Sequence, residues 1–144
     1  MSHYLLDTNL IVYSLRNDPR WDAVCQSYPI EDNNNFISVV SLGELWSLAY
    51  RNEWGQKRIQ KLERLSQSFI IADINFESII QRYAEIDAFS QGKLKGKPLG
   101  MSSRNMGKND LWIAATASVL NLTLLTTDRD FDHLAFSFLS LQLI

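Results

Sequence analysis

Apolar residues in this chain fall in short runs, each closed by polar or turn-forming residues. Tyr4-Leu5-Leu6 is followed at once by Asp7-Thr8-Asn9, and then by a second apolar run from Leu10 to Tyr13. Phe36-Ile37-Ser38-Val39-Val40 is β-branched and aromatic, which predicts a second strand. Phe69-Ile70-Ile71-Ala72 predicts a third strand, Thr123-Leu124-Leu125-Thr126 a fourth, and residues 138–144 a fifth. Helical spacing fills the intervals. Asp18-Pro19 reads as an N-cap followed by a first-turn proline. The helix it opens carries Trp21, Val24, Cys25 and Tyr28 on one face, at i, i+3, i+4 and i+7. Pro29 and the polar residues 31–35 read as a loop.

From Ser41 to about Asn52 the pattern predicts a helix with Leu42, Leu45, Trp46 and Ala49 inward. Another runs from about Gln56 to Gln67, with Ile59, Leu62 and Leu65 inward and Lys57, Arg58, Lys61 and Arg64 outward. A third runs from about Phe76 to Ser90 and buries Ile79, Ile80, Tyr83 and either Ile86 or Ala88. A fourth starts at Ser103 or Asn109 and ends at Asn121, with Leu111, Ile113, Ala114, Ala117 and Leu120. Between these last two lies a stretch rich in Gly, Lys and Ser, residues 91–108, which reads as a long loop. A loop of this length inside a compact domain is functional or disordered. Gly92, Gly96 and Gly100 have the small-xxx-small spacing of packed membrane helices, but the lysines between them exclude that reading.

Strands and helices alternate almost throughout, with no internal repeat, low-complexity tract or domain boundary. The expected fold is α/β: one domain over residues 1–144, with a parallel β-sheet of four to five strands flanked by helices. The length, 144 residues, suits one domain, and 46% hydrophobic residues are enough for a full core. The single cysteine, Cys25, rules out an internal disulfide and fits a reducing compartment. No basic segment followed by a long apolar stretch opens the chain, and no run approaches the roughly 18 apolar residues of a membrane span. The expected location is therefore cytoplasmic. The net charge of −2 decides little by itself; where the charges lie decides more.

Four carboxylates fall at matching places in this pattern. Asp7 ends the first strand. Glu44 is expected in the first turn of the helix after the second strand. Asp110 begins the helix before the fourth strand, and Asp128 follows that strand. In a parallel βα arrangement all four positions lie on one rim, where ligands of open α/β sheets bind. Clustered carboxylates repel, and desolvating them costs several kcal/mol each unless they are paired or hold a metal. A hard divalent cation with oxygen ligands resolves this and leaves positions for a phosphate. Such an ion can generate hydroxide from water and neutralise charge developing on phosphorus. Each acid also has a plainer role. Ser41-Leu42-Gly43-Glu44 matches a capping box, Asp110 suits a helix N-terminus, and Asp7 and Asp128 suit turns.

These segments resemble the PIN domain family, and in particular the VapC-type toxins of bacterial toxin–antitoxin modules. The resemblance rests on four motifs that span essentially the whole chain. They are Tyr4-Leu5-Leu6-Asp7-Thr8-Asn9, the segment from Ser38 to Leu45 with Glu44, the segment from Asn109 to Ala115 with Asp110, and the segment from Leu124 to Phe131 with Asp128. It implies an endoribonuclease dependent on Mg²⁺ or Mn²⁺, with Asp7, Glu44, Asp110 and Asp128 as metal ligands and catalytic, water-activating groups. It implies that Thr8 and Asn9 orient Asp7, that Thr126 hydrogen-bonds in the site, and that Asp130 is able to share or take the role of Asp128. It also implies a homodimer, a cognate VapB-like antitoxin that blocks the site, and RNA as substrate, tRNA among the candidates.

The loop supports a nucleic-acid substrate on separate grounds. From Lys93 to Lys108 there are five cations (Lys93, Lys95, Lys97, Arg104 and Lys108) and no acid, and the segment runs directly into Asp110. A positive segment beside a carboxylate–metal centre suits substrate binding through a phosphate backbone. Arg51 and the basic residues of the 56–67 helix read as a solvated face. His3 and His133 lack metal-site or triad spacing, and the four tryptophans read as core or interface aromatics. Two other readings compete. One is a non-catalytic RNA- or protein-binding module that keeps the fold. The other is phosphoryl transfer through an aspartate nucleophile. That chemistry wants an aspartate where Asn9 stands and a lysine near Asp128.

Overall fold

A computed structural model describes residues 3–30 and 35–144. The polar residues 31–34, expected in a loop, lie outside the described residues. The elements run β1 (Tyr4–Leu6), α1 (Thr8–Leu15), α2 (Pro19–Ser27), β2 (Asn35–Ser38), α3 (Val39–Arg51) and α4 (Gln56–Ser68). They continue β3 (Ile70–Ala72), α5 (Glu77–Ser90), α6 (Lys108–Val119), β4 (Thr123–Thr126), a 3-10 turn (Arg129–Leu134) and β5 (Ser140–Leu143). The strands form one sheet, all parallel, in the order β3-β2-β1-β4-β5. Chain progression reverses between β1 and β4. In a doubly wound sheet that reversal opens a crevice at the carboxyl ends of the two strands.

Successive leucines on the two central strands face opposite ways. Leu5 and Leu124 pack with Ile79, Ile86 and Phe89 of α5 and with Leu111 and Ala114 of α6. Leu6 and Leu125 pack with Leu10 of α1, Val24 of α2, Leu45 of α3 and Leu62 of α4. The sheet is thus the middle of three layers, which is why β1 and β4 read as unbroken apolar runs. No described helix is long and apolar enough to cross a membrane.

Several boundaries differ from the sequence pattern for physical reasons. The run from Leu10 to Tyr13, which the pattern left without an element, lies in α1. The second strand ends at Ser38 rather than Val40, because β3 supplies its last partner, Ala72, opposite Ser38. Ser38 Oγ accepts the Val40 N–H at 3.1 Å and caps α3. Val39 and Val40 are therefore helical although they are β-branched, since tertiary context outweighs propensity. It follows that Glu44 stands in the second turn of α3, not the first, and that Ser41 is no N-cap. Ile80, expected to be buried on α5, is 41% exposed, and Phe89 is buried instead. The fifth strand is shorter than expected, and α6 starts at Lys108. Lys61, expected on a solvated face, is half-buried: its Nζ donates to Ser14 O and to Asn17 Oδ1, each at 2.6 Å.

Four helices end on a residue in the left-handed region: Asn17 (φ 53°), Glu53 (φ 49°), Gly92 (φ 73°) and Asn121 (φ 54°). At α3 the Trp54 N–H donates to Ala49 O at 3.0 Å and the Glu53 N–H to Tyr50 O at 3.3 Å, the paired bonds of a Schellman stop. Glycine and asparagine tolerate this backbone, whereas glutamate carries the Cβ penalty. Glu53→Gly is therefore expected to raise stability by about 0.5–1 kcal/mol, and Gly92→Ala to lower it by a similar amount. Urea midpoints of the two variants against wild type check both signs.

Candidate active site

The site begins where β1 stops. The Asp7 N–H donates to Leu125 O at 2.9 Å, which carries the β1–β4 ladder one residue past Leu6. The Asp7 carboxylate is only 5% exposed. Oδ1 accepts the Thr8 N–H at 2.8 Å and so caps α1, and Oδ2 accepts the Thr126 hydroxyl at 2.7 Å. No basic side chain among the described residues pairs with it. The ion pairs among the described residues are Arg20–Asp18, Arg82–Glu85 and Arg129–Asp132, all elsewhere. Burial pushes the Asp7 carboxyl above the usual carboxylate range. The Thr126 and Thr8 hydrogen bonds oppose that, and the charges of Glu44 and Asp128 add to it.

Glu44 is joined to this group through Thr8. Thr8 Oγ1 lies 3.0 Å from Glu44 Oε1 and 2.9 Å from Ser41 Oγ. A threonine hydroxyl has one proton and a carboxylate only accepts, so Thr8 donates to Glu44 and accepts from the fully buried Ser41. The register of α3 that starts at Val39 makes this possible, because it turns Ser41 and Glu44 toward α1.

On the other side of the crevice, Asp128 caps the 3-10 turn: its Oδ1 accepts the Asp130 N–H at 2.8 Å. The Asp128 N–H donates to Thr126 Oγ1 at 3.0 Å, so one hydroxyl touches both Asp7 and Asp128. Asp110 enters from the first turn of α6. Burial raises its pKa to about 7, and the charges of Asp7, Asp128, Glu44 and Asp130 add to that. One carboxylate oxygen from each of Asp110, Asp128 and Asp130 lies within 4.8 Å of the others. Asp7 and Glu44 stand outside that triangle and connect to it through Thr126 and Thr8. Every donor is a hard oxygen, and no described cation compensates the cluster. The residues therefore fit Mg²⁺ or Mn²⁺ rather than a soft-ligand metal.

Of the loop cations, Lys93, Lys95 and Arg104 are exposed, and Lys108 is the exposed first residue of α6. Lys97 is engaged with its own chain: its Nζ donates to Ser137 O at 2.9 Å and lies 4.1 Å from the Phe138 ring centroid. The loop returns to the site through a buried knot that sequence spacing did not reveal. The Arg104 N–H donates to Ser90 O at 2.7 Å, and Ser90 Oγ lies 2.7 Å from His133 Nε2. Burial holds the His133 imidazole below its usual pKa, and the Arg104 charge adds to this. Ser41, which the sequence pattern marked only as the start of a capping box, instead meets the Thr8 hydroxyl. Asn9, expected beside Asp7, is exposed and makes no side-chain hydrogen bond among the described residues.

Residues 4–137 match the family model for the PIN domain, and the chain belongs to that family. It is similar to Ribonuclease VapC1 from Haemophilus influenzae, with 30% identity over 123 residues, covering 85% of this chain and 84% of that protein. It is also similar to the solved VapBC-1 structure from nontypeable Haemophilus influenzae. There the TM-score is 0.71 and the identity 28%, covering 98% of this chain and 97% of that one. VapBC2 from Rickettsia felis, bound to a DNA fragment from its promoter, shares the fold with a TM-score of 0.74 at 23% identity, over 99% and 98% of the two chains.

The raised Asp110 pKa has a consequence for stability without metal. Its unfolded value is near 3.8 and its folded value about 7. Between those values the folded state holds a proton that the unfolded state has lost, so this group makes stability fall as pH rises from about 4 to about 7. His133 acts in the opposite sense but is common to wild type and variant. In chelator, Asp110→Asn is expected to melt higher than wild type by a margin that grows from pH 4 to pH 8. Adding Mg²⁺ should raise the wild-type Tm more than that of the variant. A constant margin across this range would contradict the assignment.

Proposed function

We propose that this chain is a metal-dependent endoribonuclease that hydrolyses RNA phosphodiester bonds, and that it is the toxin of a type II toxin–antitoxin pair. The observation that carries the reading is the uncompensated carboxylate set at the β1–β4 crevice of a PIN-family chain, with an acid-free basic loop running into it. The name Ribonuclease VapC1 of its relative supports the activity. Asp7, Glu44, Asp110 and Asp128, with Asp130 beside them, would hold Mg²⁺ or Mn²⁺. When bound, the ion supplies Lewis acidity toward the phosphate and lowers the cost of forming the hydroxide nucleophile.

The rest falls to the chain. Both Asp7 oxygens accept hydrogen bonds, so the carboxylate is held in one orientation. Thr8 fixes Glu44 by Oε1 and leaves Oε2 to accept a proton from an attacking water. Lys93, Lys95, Arg104 and Lys108 offset the charge of the RNA backbone, while Lys97 braces the loop that carries them. The same reading gives the protein a cognate VapB-like antitoxin, in line with the VapBC complexes it resembles in fold. It also gives a homodimer, residues 1–144 as one functional domain, and a cytoplasmic place of action.

Asp7→Asn keeps the size of the side chain and removes its charge. It is expected to lower RNA cleavage by more than about 100-fold while the protein stays folded. The measurement compares wild type and variant on total RNA and on tRNA, with Mg²⁺, with Mn²⁺ and with chelator, alongside circular dichroism. Cleavage by wild type alone, and only with metal, supports the reading. Equal activity in the variant overturns the role of Asp7. RNA binding without cleavage under every condition favours a non-catalytic binding module.

A further inference from the structure

A groove of about 650 Å³ opens directly on Glu44 and runs away from the carboxylates along α3. Glu44, Ser47, Leu48 and Arg51 line it at i, i+3, i+4 and i+7, one face of a helix. Asn9 of α1 and Asn109 of α6 line its mouth, each next to a residue of the acidic site in sequence or space. At a rise of about 1.5 Å per residue, Arg51 lies about 10 Å along the helix from Glu44.

Arg51 is exposed at the far end. Its Nε donates to Ser47 Oγ at 3.2 Å, which steers the guanidinium, and it forms no ion pair among the described residues. Its Nη donors are left for an outside partner. A planar guanidinium with two free donors matches a phosphate bidentately. Asn109, like Asn9, is exposed and makes no side-chain hydrogen bond among the described residues. An amide offers both a donor and an acceptor to a base edge. Arg104 and Asp130 line a second, smaller cavity of about 190 Å³, with Lys108 nearby in sequence. One cation thus shares a cavity with Glu44 and another shares one with Asp130, so a polyanion that spans the two acids meets positive charge at each.

We propose that the α3 groove seats the single-stranded RNA nucleotides on one side of the scissile phosphate, with Arg51 clamping a backbone phosphate and Asn9 and Asn109 contacting the intervening base. This rests on the nuclease reading for its substrate class, and it adds the path of the strand and the residues that hold it. Glycine at position 43 keeps the wall beside Glu44 low: a Cβ built there meets nothing within 4 Å. Leu48 supplies an apolar floor, and the lining otherwise suits ribose and base edges better than a stacked ring.

The test measures binding of a fluorescein-labelled single-stranded RNA of mixed sequence to the full chain carrying Asp7→Asn. Arg51→Ala is added to one sample and Arg64→Ala, an exposed cation of α4 outside the groove, to another. Arg51→Ala is expected to weaken binding about tenfold and to reduce the salt slope by about one, while Arg64→Ala leaves both unchanged. With Asp7 restored, Arg51→Ala is expected to raise KM and leave kcat nearly intact. Equal losses in both arginine variants, or none in Arg51→Ala, overturn the groove. So does a changed oligomeric state of Arg51→Ala in gel filtration, which assigns this face to a protein partner. Arg51-dependent binding by a protein that cleaves no RNA sinks the nuclease reading and keeps the groove. Cleavage with an unchanged KM in Arg51→Ala does the reverse.

Discussion

A carboxylate buried at the end of the central strand, with no counter-charge among the described residues, is the constraint on which this structure turns. Asp7 is held by two neutral donors, the Thr8 N–H and the Thr126 hydroxyl. Each is placed by a different feature of the fold. Thr126 ends β4, whose parallel register on β1 sets Leu125 opposite Leu6 and brings the next residue beside Asp7. The Thr8 N–H is available because α1 starts there, and α1 starts there because Asp7 caps it. A shift of one residue in the β1–β4 pairing would turn Thr126 away and leave a buried charge with one donor, a loss of several kcal/mol by the usual cost of such groups. Asp7 therefore fixes strand register, helix start and site together.

Much of this could be read from the chain, and what could not has a common cause. The strand runs, the rim positions of Asp7, Asp110 and Asp128, and the start of α2 at Asp18-Pro19 rest on local signals with a mechanism. The start of α3 does not. Val39-Val40 carries strand propensity, and only the end of its β3 partner shows that the ladder stops at Ser38. Thr8 meets Ser41 and Glu44 across 33 and 36 residues, and Ser90 meets His133 across 43. No spacing rule reaches that far. The pattern found the acids, but the hydroxyls that aim them emerge only when the layers close.

The loop from Gln91 to Gly107 shows how a long irregular segment can be well placed. Gly92, Gly96 and Gly100 take left-handed backbone, and each turns the chain. Lys97 ties it to Ser137, the Arg104 N–H ties it to Ser90, and Met106 is buried in the core. Those anchors use one of this loop's four cations and part of another's backbone. The remaining side chains stay at the surface, directly before α6 and Asp110. Under the nuclease reading, a backbone fixed in advance would lower the entropy lost when the RNA binds.

The charge pattern connects these features. The chain is nearly neutral, at −2, so its acids and bases could have been interleaved and paired. Instead the acids of the crevice have no described ion-pair partner, and Arg129, beside Asp128 in sequence, pairs with Asp132. Asp110, whose pKa rises to about 7 through burial first and the charges of its neighbours second, keeps a proton that a bound divalent cation would displace. Under the nuclease reading, metal binding would be linked to proton release from Asp110 near neutral pH. Such a cluster is stable only in company, with protons, a cation or both. Carboxylates gathered in this way suit a hard divalent cation, and under the nuclease reading the same crevice would take the phosphate of the substrate.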